Sequence, residues 1–177
     1  MSPRRVALAV ELVLDDAAQQ FVGDLWDRLE SAGIVTLAAA SPRVHAHVSL
    51  GVATDTTPDA LAATLGGVAS AGLPVLALSS VGAFLRPQHV VFLAPVVTAE
   101  LLALHATVCE RLAIADVATS PLYAPGAWVP HCTIAMKFPS IAEALHAIGD
   151  VELPFVARCA SVGLVEVPTG RIVATLG

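Results

Sequence analysis

The sequence predicts an α+β fold made of two similar β-α-β-α-β halves, whose antiparallel sheets enclose a central groove. Two alternating stretches, HVSL at 47–50 and HCTI at 131–134, each carry a hydroxyl residue two positions after a histidine. The two histidines, His47 and His131, lie 84 residues apart in a chain of 177. Strand-like and helix-like patterns recur in the same order at about this offset, which is typical of an internal duplication.

The first half, about residues 1–85, contains three predicted strands and two predicted helices. The strands are predicted over 5–14, 44–52 and 74–80. The first helix is predicted to begin after a cap at Asp15 or Asp16 and to end at Gly33, and the second to begin at Thr57-Pro58 and to end at Gly72. The small-residue stretch 34–41 separates the first helix from the histidine strand.

The second half, about residues 86–177, repeats this order. Its strands are predicted over 89–93, 129–138 and 155–165. Its helices are predicted to begin after caps at Thr98 and Ser140, the latter with the capping-box residue Glu143. A turn at 168–170 leads to a last predicted strand over 171–176.

The two histidine strands are expected to share one groove. Side chains two positions apart project from the same face of a strand, so each histidine lies beside its hydroxyl. The groove face is predicted to carry His45, His47, Ser49 and Gly51 in the first stretch and His131, Thr133, Ala135 and Lys137 in the second. The core face is predicted to carry Val44, Ala46, Val48, Leu50 and Val52, and Cys132, Ile134, Met136 and Phe138.

Composition favours a single domain over residues 1–177. Apolar residues make up 56% of the chain and charged residues 14%, so a large core is expected without disulfides. The longest charge-free stretch, 60–85, is interrupted by glycines and a proline, which argues against a membrane span. The first residues differ from a secretory signal, and the three cysteines lack metal-site spacing. A cytoplasmic location and a monomer are therefore expected.

The charge balance limits the kind of partner. The net charge is −6, and the basic residues form no block. A protein that follows a long nucleic-acid backbone needs many cationic contacts, so no long nucleic-acid partner is expected. A small anionic ligand held by a few local groups fits this sequence better.

The paired H-x-[ST] motifs, with Trp128-Val129-Pro130 before the second, resemble those of the two-histidine (2H) phosphoesterase superfamily. That superfamily includes the bacterial and archaeal 2'-5' RNA ligase-like proteins and the cyclic nucleotide phosphodiesterases. The resemblance covers nearly the whole chain and implies their RNA ligase-like fold. Two departures are Ser49, where threonine is commoner, and the scarcity of arginines near the histidines.

The motif residues also suggest a chemistry by themselves. Opening a 2',3'-cyclic phosphate with water requires one group that removes a proton and one that donates a proton. Because the pKa of histidine lies near 6.5, His47 and His131 can share these roles around neutral pH. Ser49 and Thr133 are predicted to hydrogen-bond the phosphate oxygens. This hydrolysis needs neither a metal nor a cofactor, and the expected substrate is a small nucleotide or an RNA end.

Four other residues carry weaker predictions. Lys137 shares the predicted face of His131, and Arg86 lies where some relatives carry a basic residue, so both are predicted phosphate contacts. Tyr123 and Trp128 could form the wall of a pocket for a nucleobase.

Two alternative functions remain open at this stage. A metal-dependent hydrolase could use His45, His47 and His131 as ligands, because His45 and His47 form an H-x-H pair on one strand face. A nucleotide-binding module could have kept the groove and lost efficient catalysis.

Overall fold

The computed structural model describes residues 6–41 and 43–176. The strands in this part of the chain are β1 (Val6–Leu14), β2 (His47–Thr56), β3 (Val75–Phe84), β4 (Val90–Pro95), β5 (Cys132–Met136), β6 (Phe155–Glu166) and β7 (Arg171–Leu176). The helices are α1 (Asp16–Ser31), α2 (Leu37–Ala40), α3 (Pro58–Leu65), α4 (Ala99–Ile114) and α5 (Ile141–Ile148), with a 3-10 turn at Pro121–Tyr123. Arg5, in the first predicted strand, lies outside the described residues.

The four longer helices begin where their capping residues predict. The side chains of Asp15, Thr57, Thr98 and Ser140 each accept a hydrogen bond from a backbone N–H three residues later. Such a bond satisfies one of the amide groups that a helix N-terminus leaves unpaired. One helix end differs from the prediction, because α3 stops at Leu65, before a pair of glycines, rather than at Gly72. The short helix α2 lies in the stretch 34–41, for which the sequence indicated no element.

The strand pairs in the described residues are all antiparallel, in the order β2-β1-β6-β3-β4-β5 with β7 beside β6. The third strand of each half changes partners along its length. The first residues of β3 and β6 pair with each other, and their later residues pair with β4 and β1 respectively. Each half therefore extends the sheet of the other, and the histidine strands β2 and β5 approach one another. The predicted α+β fold with two lobes and a central groove is confirmed.

The helices of each half likewise pack against elements of the other half. Helix α1 contacts α5 and β5, whereas α4 contacts α3 and β2. Their apolar stripes are fully or almost fully buried, including Leu25 and Leu29 of α1 and Leu101 and Val108 of α4. Burial of each such side chain contributes about 1.5–3 kcal/mol to folding. No helix in residues 6–41 and 43–176 is long and apolar enough to cross a membrane.

Each histidine strand has an irregular register immediately after its hydroxyl residue. In β2, Gly51 pairs with Val10 and Ser49 with Glu11, so Leu50 is an extra residue between two adjacent partners. A β-bulge of this kind ends the strict alternation of faces.

The same irregularity occurs in β5, where Ala135 pairs with Val91 and Thr133 with Phe92. Ile134 is therefore the extra residue. Four face assignments directly beyond the two bulges were wrong for this reason: Gly51 and Ala135 are buried in the core, while Val52 and Met136 line the groove. Lys137 at the groove and Phe138 in the core lie as predicted.

The second histidine strand is shorter than the predicted range 129–138. It begins at Cys132, so His131 lies immediately before the strand. Pro130 has no N–H group to donate to a ladder, which explains why regular pairing starts only after His131.

Candidate active site

A groove of about 520 Å³ lies between the two histidine strands. The side chains that the sequence predicted for one site and that line this groove are His47, Ser49, His131, Thr133 and Lys137. Residues of β1, β2, β4, β5 and β6, of helix α2, of the end of β3 and of the connecting loops form its walls. The groove has the position that the duplicated pattern predicted.

The two histidine rings are held in the same way. Nδ1 of His47 lies 2.7 Å from the backbone oxygen of His45, and Nδ1 of His131 lies 2.7 Å from that of Val129. A carbonyl oxygen only accepts, so in each ring Nδ1 must be the donor. This fixes the ring orientation and leaves each Nε2 for other partners.

The surroundings of His131 are aromatic. Its ring centroid lies 5.0 Å from that of Phe84, edge to face, and 5.2 Å from that of Phe92. Burial lowers the pKa of His131 below its usual value; the Val129 carbonyl opposes this shift and the nearby His47 adds to it. The neutral imidazole, with a lone pair on Nε2, is therefore favoured at this position.

The surroundings of His47 are acidic. Oε1 of Glu11, on β1, lies 3.4 Å from Nε2 of His47, and Oε2 lies 3.0 Å from Nε2 of His45. Glu11 is only 5% exposed. The sequence analysis did not identify this carboxylate as a neighbour of the histidines. The available signal was a single charged residue in an otherwise apolar nine-residue strand.

The hydroxyl residues have structural support of their own. The Tyr123 hydroxyl lies next to the side chain of Ser49, and burial raises the pKa of this tyrosine. Nε1 of Trp128 donates to the backbone oxygen of Ser49 at 2.9 Å. The Trp128 ring stacks on His105 at a centroid distance of 3.9 Å. This chain of contacts connects the loop before His131 to the strand that carries His47.

The two predicted basic contacts occupy different places. Lys137 is exposed and lies at the groove, directly after β5. Arg86 lines an adjoining cavity of about 300 Å³ together with Phe84, Trp128 and His131. Tyr123 lines both spaces. The structure therefore brings Lys137, but not Arg86, to the main groove.

Among the described residues, one group of His, Cys, Asp and Glu side chains could hold a metal ion. It consists of Glu11, His45 and His47, whose ligand atoms all lie within 4.8 Å of one another. His131 is not a member, so the predicted three-histidine set is replaced by two histidines and a carboxylate. Burial raises the pKa of the Cys132 thiol to about 12, which leaves this neighbouring cysteine without a thiolate for metal binding.

Comparison with known protein families shows to which family the chain belongs. The family model described as the 2'-5' RNA ligase superfamily matches residues 14–171. The chain belongs to the 2'-5' RNA ligase superfamily. Within that superfamily, which the two histidine motifs predicted, the groove between β2 and β5 is the candidate active site. No curated protein is significantly similar to the chain in sequence.

Solved structures show the same fold. Apo LigT from E. coli matches with a TM-score of 0.66 and 15% identity, over 98% of this chain and 95% of that chain. LigT complexed with 3'-AMP matches with a TM-score of 0.63 and 13% identity over the same shares. A protein described as a phosphoesterase matches with a TM-score of 0.61 and 15% identity, again over 98% and 95%. This member of the 2'-5' RNA ligase superfamily therefore has a LigT-like fold.

Proposed function

We propose that the protein is a metal-independent phosphoesterase that hydrolyses a cyclic phosphate of the 2',3' type, or a 2',5'-linked phosphodiester, in a small nucleotide or an RNA end. One observation carries this proposal. Two imidazoles, each fixed through Nδ1 to a backbone oxygen, line one groove together with Ser49 and Thr133. Membership of the 2'-5' RNA ligase superfamily supports the same reaction class.

The different surroundings of the histidines suggest a role for each. His131 has a lowered pKa and a Nε2 lone pair, which suits a general base that takes a proton from water. Nε2 of His47 lies beside the Glu11 carboxylate, which is placed to accept a hydrogen bond from a proton held there. His47 is therefore the proposed general acid.

The reaction follows from these assignments. Water attacks phosphorus while Nε2 of His131 takes its proton, and a P–O bond forms. The bond between phosphorus and the leaving ribose oxygen breaks as Nε2 of His47 gives that oxygen a proton. Ser49 and Thr133 donate hydrogen bonds to the non-bridging oxygens, and the exposed Lys137 contributes positive charge at the groove. In the reverse direction, ligation, the two histidines exchange roles.

The substrate class follows from the size and charge of the site. A groove of about 520 Å³ is in the range that holds one small ligand. The adjoining cavity presents Phe84, Tyr123 and Trp128 to a nucleobase. One of the similar solved structures is LigT complexed with 3'-AMP, which supports a small nucleotide as the kind of ligand. The net charge of −6 disfavours a long nucleic-acid partner.

A substrate panel tests the proposal. Purified protein is treated with EDTA and supplied with 2',3'-cyclic nucleotides, 2',5'-linked dinucleotides and, as a matched control, 3',5'-linked dinucleotides. We expect turnover of one of the first two classes in the presence of EDTA, and none of the third. The variants His47→Ala and His131→Ala provide the background rate.

Two results would contradict the proposal. Tight nucleotide binding without turnover of any compound would indicate a binding module. Activity that EDTA abolishes and zinc restores would indicate a metal-dependent hydrolase.

A further inference from the structure

The proposed reaction gives Glu11 only the role of a hydrogen-bond acceptor for His47, and it gives the His45 side chain no role. Glu11 and His45 are enclosed between β1 and the start of β2, with side chains that are 7% and 14% exposed. Both residues line the groove, but the proposed reaction uses neither of them for proton transfer or for binding the phosphate. A buried carboxylate next to two imidazoles is costly unless its charge is compensated.

We infer that Glu11, His45 and His47 form a binding site for a divalent transition-metal ion such as zinc, and that a bound ion inhibits the phosphoesterase by occupying Nε2 of His47. The inhibitory part of this inference rests on the proposed function. The binding part does not.

The spacing of the donor atoms fits a zinc ion. Zinc binds histidine nitrogen and carboxylate oxygen at about 2.0–2.2 Å in tetrahedral geometry, which separates neighbouring ligand atoms by about 3.3–3.6 Å. Oε2 of Glu11 lies 3.0 Å from Nε2 of His45, and Oε1 lies 3.4 Å from Nε2 of His47. One ligand atom from each of the three residues can be chosen so that all three lie within 4.8 Å of one another, and side-chain movements would bring them to ligand positions.

The hydrogen bonding of the cluster gives independent support. Oε2 of Glu11 and Nε2 of His45 are both buried, and neither has a hydrogen-bond partner among the described residues. They lie 3.0 Å apart but are not aligned for a bond with each other. Because buried polar atoms are nearly always paired, two unpaired ones directed into the same space indicate a ligand between them.

Nε2 of His47 points into the same space because its Nδ1 is already committed to the His45 backbone oxygen at 2.7 Å. A hydrogen bond from one ring nitrogen to a carbonyl is the usual way in which proteins orient a metal-binding histidine. Two nitrogens and one oxygen leave a fourth position open, and this donor set suits zinc and its neighbours rather than magnesium or calcium.

The duplication shows that this cluster is not part of the shared scaffold. Phe92 pairs with Thr133 as Glu11 pairs with Ser49, so Phe92 is the counterpart of Glu11. Val129 lies two residues before His131, as His45 lies two residues before His47. The second half thus keeps the catalytic histidine and lacks both extra ligands.

Metal binding and catalysis compete for one atom. The lone pair of Nε2 on His47 can hold the proton that the leaving oxygen needs, or it can bind zinc, but it cannot do both. Zinc occupancy is therefore expected to remove the proposed general acid and to reduce turnover by the roughly 10²- to 10⁴-fold that such a group contributes.

Direct binding is measured first, without substrate. Full-length protein stripped with EDTA and dialysed is titrated with zinc chloride in a calorimeter or against a chromogenic chelator. We expect one zinc per chain, and at least about 100-fold weaker binding by Glu11→Gln and His45→Gln, since even outer-shell changes cost 10- to 100-fold. His45→Gln keeps the backbone oxygen that holds His47. His131→Ala is the matched control and should bind zinc like the parent.

Inhibition is measured second, with each protein compared with its own rate in EDTA. Zinc should inhibit the parent and have little effect on His45→Gln at the same concentration. Circular dichroism and thermal unfolding check that every variant is folded.

The results separate the two proposals. Absence of stoichiometric zinc binding by the parent, unchanged binding in both ligand variants, or a rate increase with zinc would each overturn the inference. Stoichiometric binding that the ligand variants lose would support the site even if no compound were turned over in EDTA, a result that would count against the proposed phosphoesterase alone.

Discussion

The segments around His47 and His131, called here the two histidine corners, have the same backbone construction and different surroundings. In both, Nδ1 of the histidine donates over 2.7 Å to the carbonyl two residues earlier. In both, a hydroxyl follows two residues later and a bulge follows the hydroxyl. These shared features fix the direction of each ring with backbone atoms alone, so they do not depend on which side chains lie nearby.

The side chains next to the rings are what differ. His47 lies beside the Glu11 carboxylate, whereas His131 lies beside the phenyl rings of Phe84 and Phe92. A carboxylate can bind a proton or a metal ion, whereas phenyl rings provide apolar surroundings that favour a neutral imidazole. Under the mechanism proposed above, one duplicated scaffold provides a general acid at His47 and a general base at His131 through a change of neighbouring residues only.

The largest expected effect is the loss of either histidine. His47→Ala and His131→Ala each remove a proton-transfer group, and such groups contribute roughly 10²- to 10⁴-fold to rate. Both act in one transition state, so the double variant should lose less than the product of the single losses. Steady-state kcat and kcat/KM on the best substrate of the panel provide the measurement.

The variant His45→Ala tests whether the correct histidine of the H-x-H pair has been chosen. In the presence of EDTA it should retain far more activity than His47→Ala. Equal losses in two folded variants would show that the chemistry or the residue is wrong.

The hydroxyl residues should have the next largest effect. Ser49→Ala and Thr133→Ala each remove one charge-assisted hydrogen bond, worth about 1.5–3 kcal/mol, or roughly 10- to 150-fold in kcat/KM. Ser49→Thr keeps the donor and should be nearly silent. A loss within twofold for either alanine variant would show that this hydroxyl does not contact the phosphate.

The duplicated pattern explains why so much of the fold could be predicted. Periodicity and capping residues are local, so the sequence predicted the seven strands and the four longer helices, together with the caps at Thr57, Thr98 and Ser140. The bulges at Leu50 and Ile134 could not be predicted, because a bulge depends on the register with a neighbouring strand. The pairing of β3 with β6 could not be predicted either, because it joins residues that are far apart in the sequence.

The candidate site, like the fold, could be predicted from the sequence only in part. Spacing alone placed the motif histidines and hydroxyls in one groove. Glu11 was missed because its partners His45 and His47 are more than 30 positions away and become neighbours only when β1 pairs with β2. The distance between Arg86 and the groove depends on loop geometry, which the sequence pattern does not encode.

A pair of glycines offers a smaller test of the two corners. Gly82 pairs with Phe92, and Gly163 pairs with Glu11. A Cβ atom at Gly82 would lie 2.5 Å from Cε2 of Phe92, whereas one at Gly163 would lie 3.2 Å from its nearest neighbour, Cγ2 of Val13. Gly82→Ala should therefore displace the Phe92 ring, whose centroid lies 5.2 Å from that of His131.

We expect Gly82→Ala to lower the free energy of unfolding by about 1–3 kcal/mol through overpacking and to reduce kcat, with Gly163→Ala as the milder matched control. Urea unfolding and kinetics measure the two quantities. A Gly163→Ala variant more damaged than Gly82→Ala would contradict the packing difference between the corners.

The smallest expected effect is a displacement of the pH profile. Burial lowers the pKa of His131 below its usual value of 6.5. A general base works when it is deprotonated, so activity should fall as the pH drops through this lowered pKa. The acidic limb of kcat/KM against pH should therefore lie below pH 6.5 in the parent. His131→Ala should flatten that limb, whereas His47→Ala should leave its shape unchanged. An acidic limb above pH 6.5, or one that disappears in His47→Ala instead, would reverse the proposed roles of the two corners.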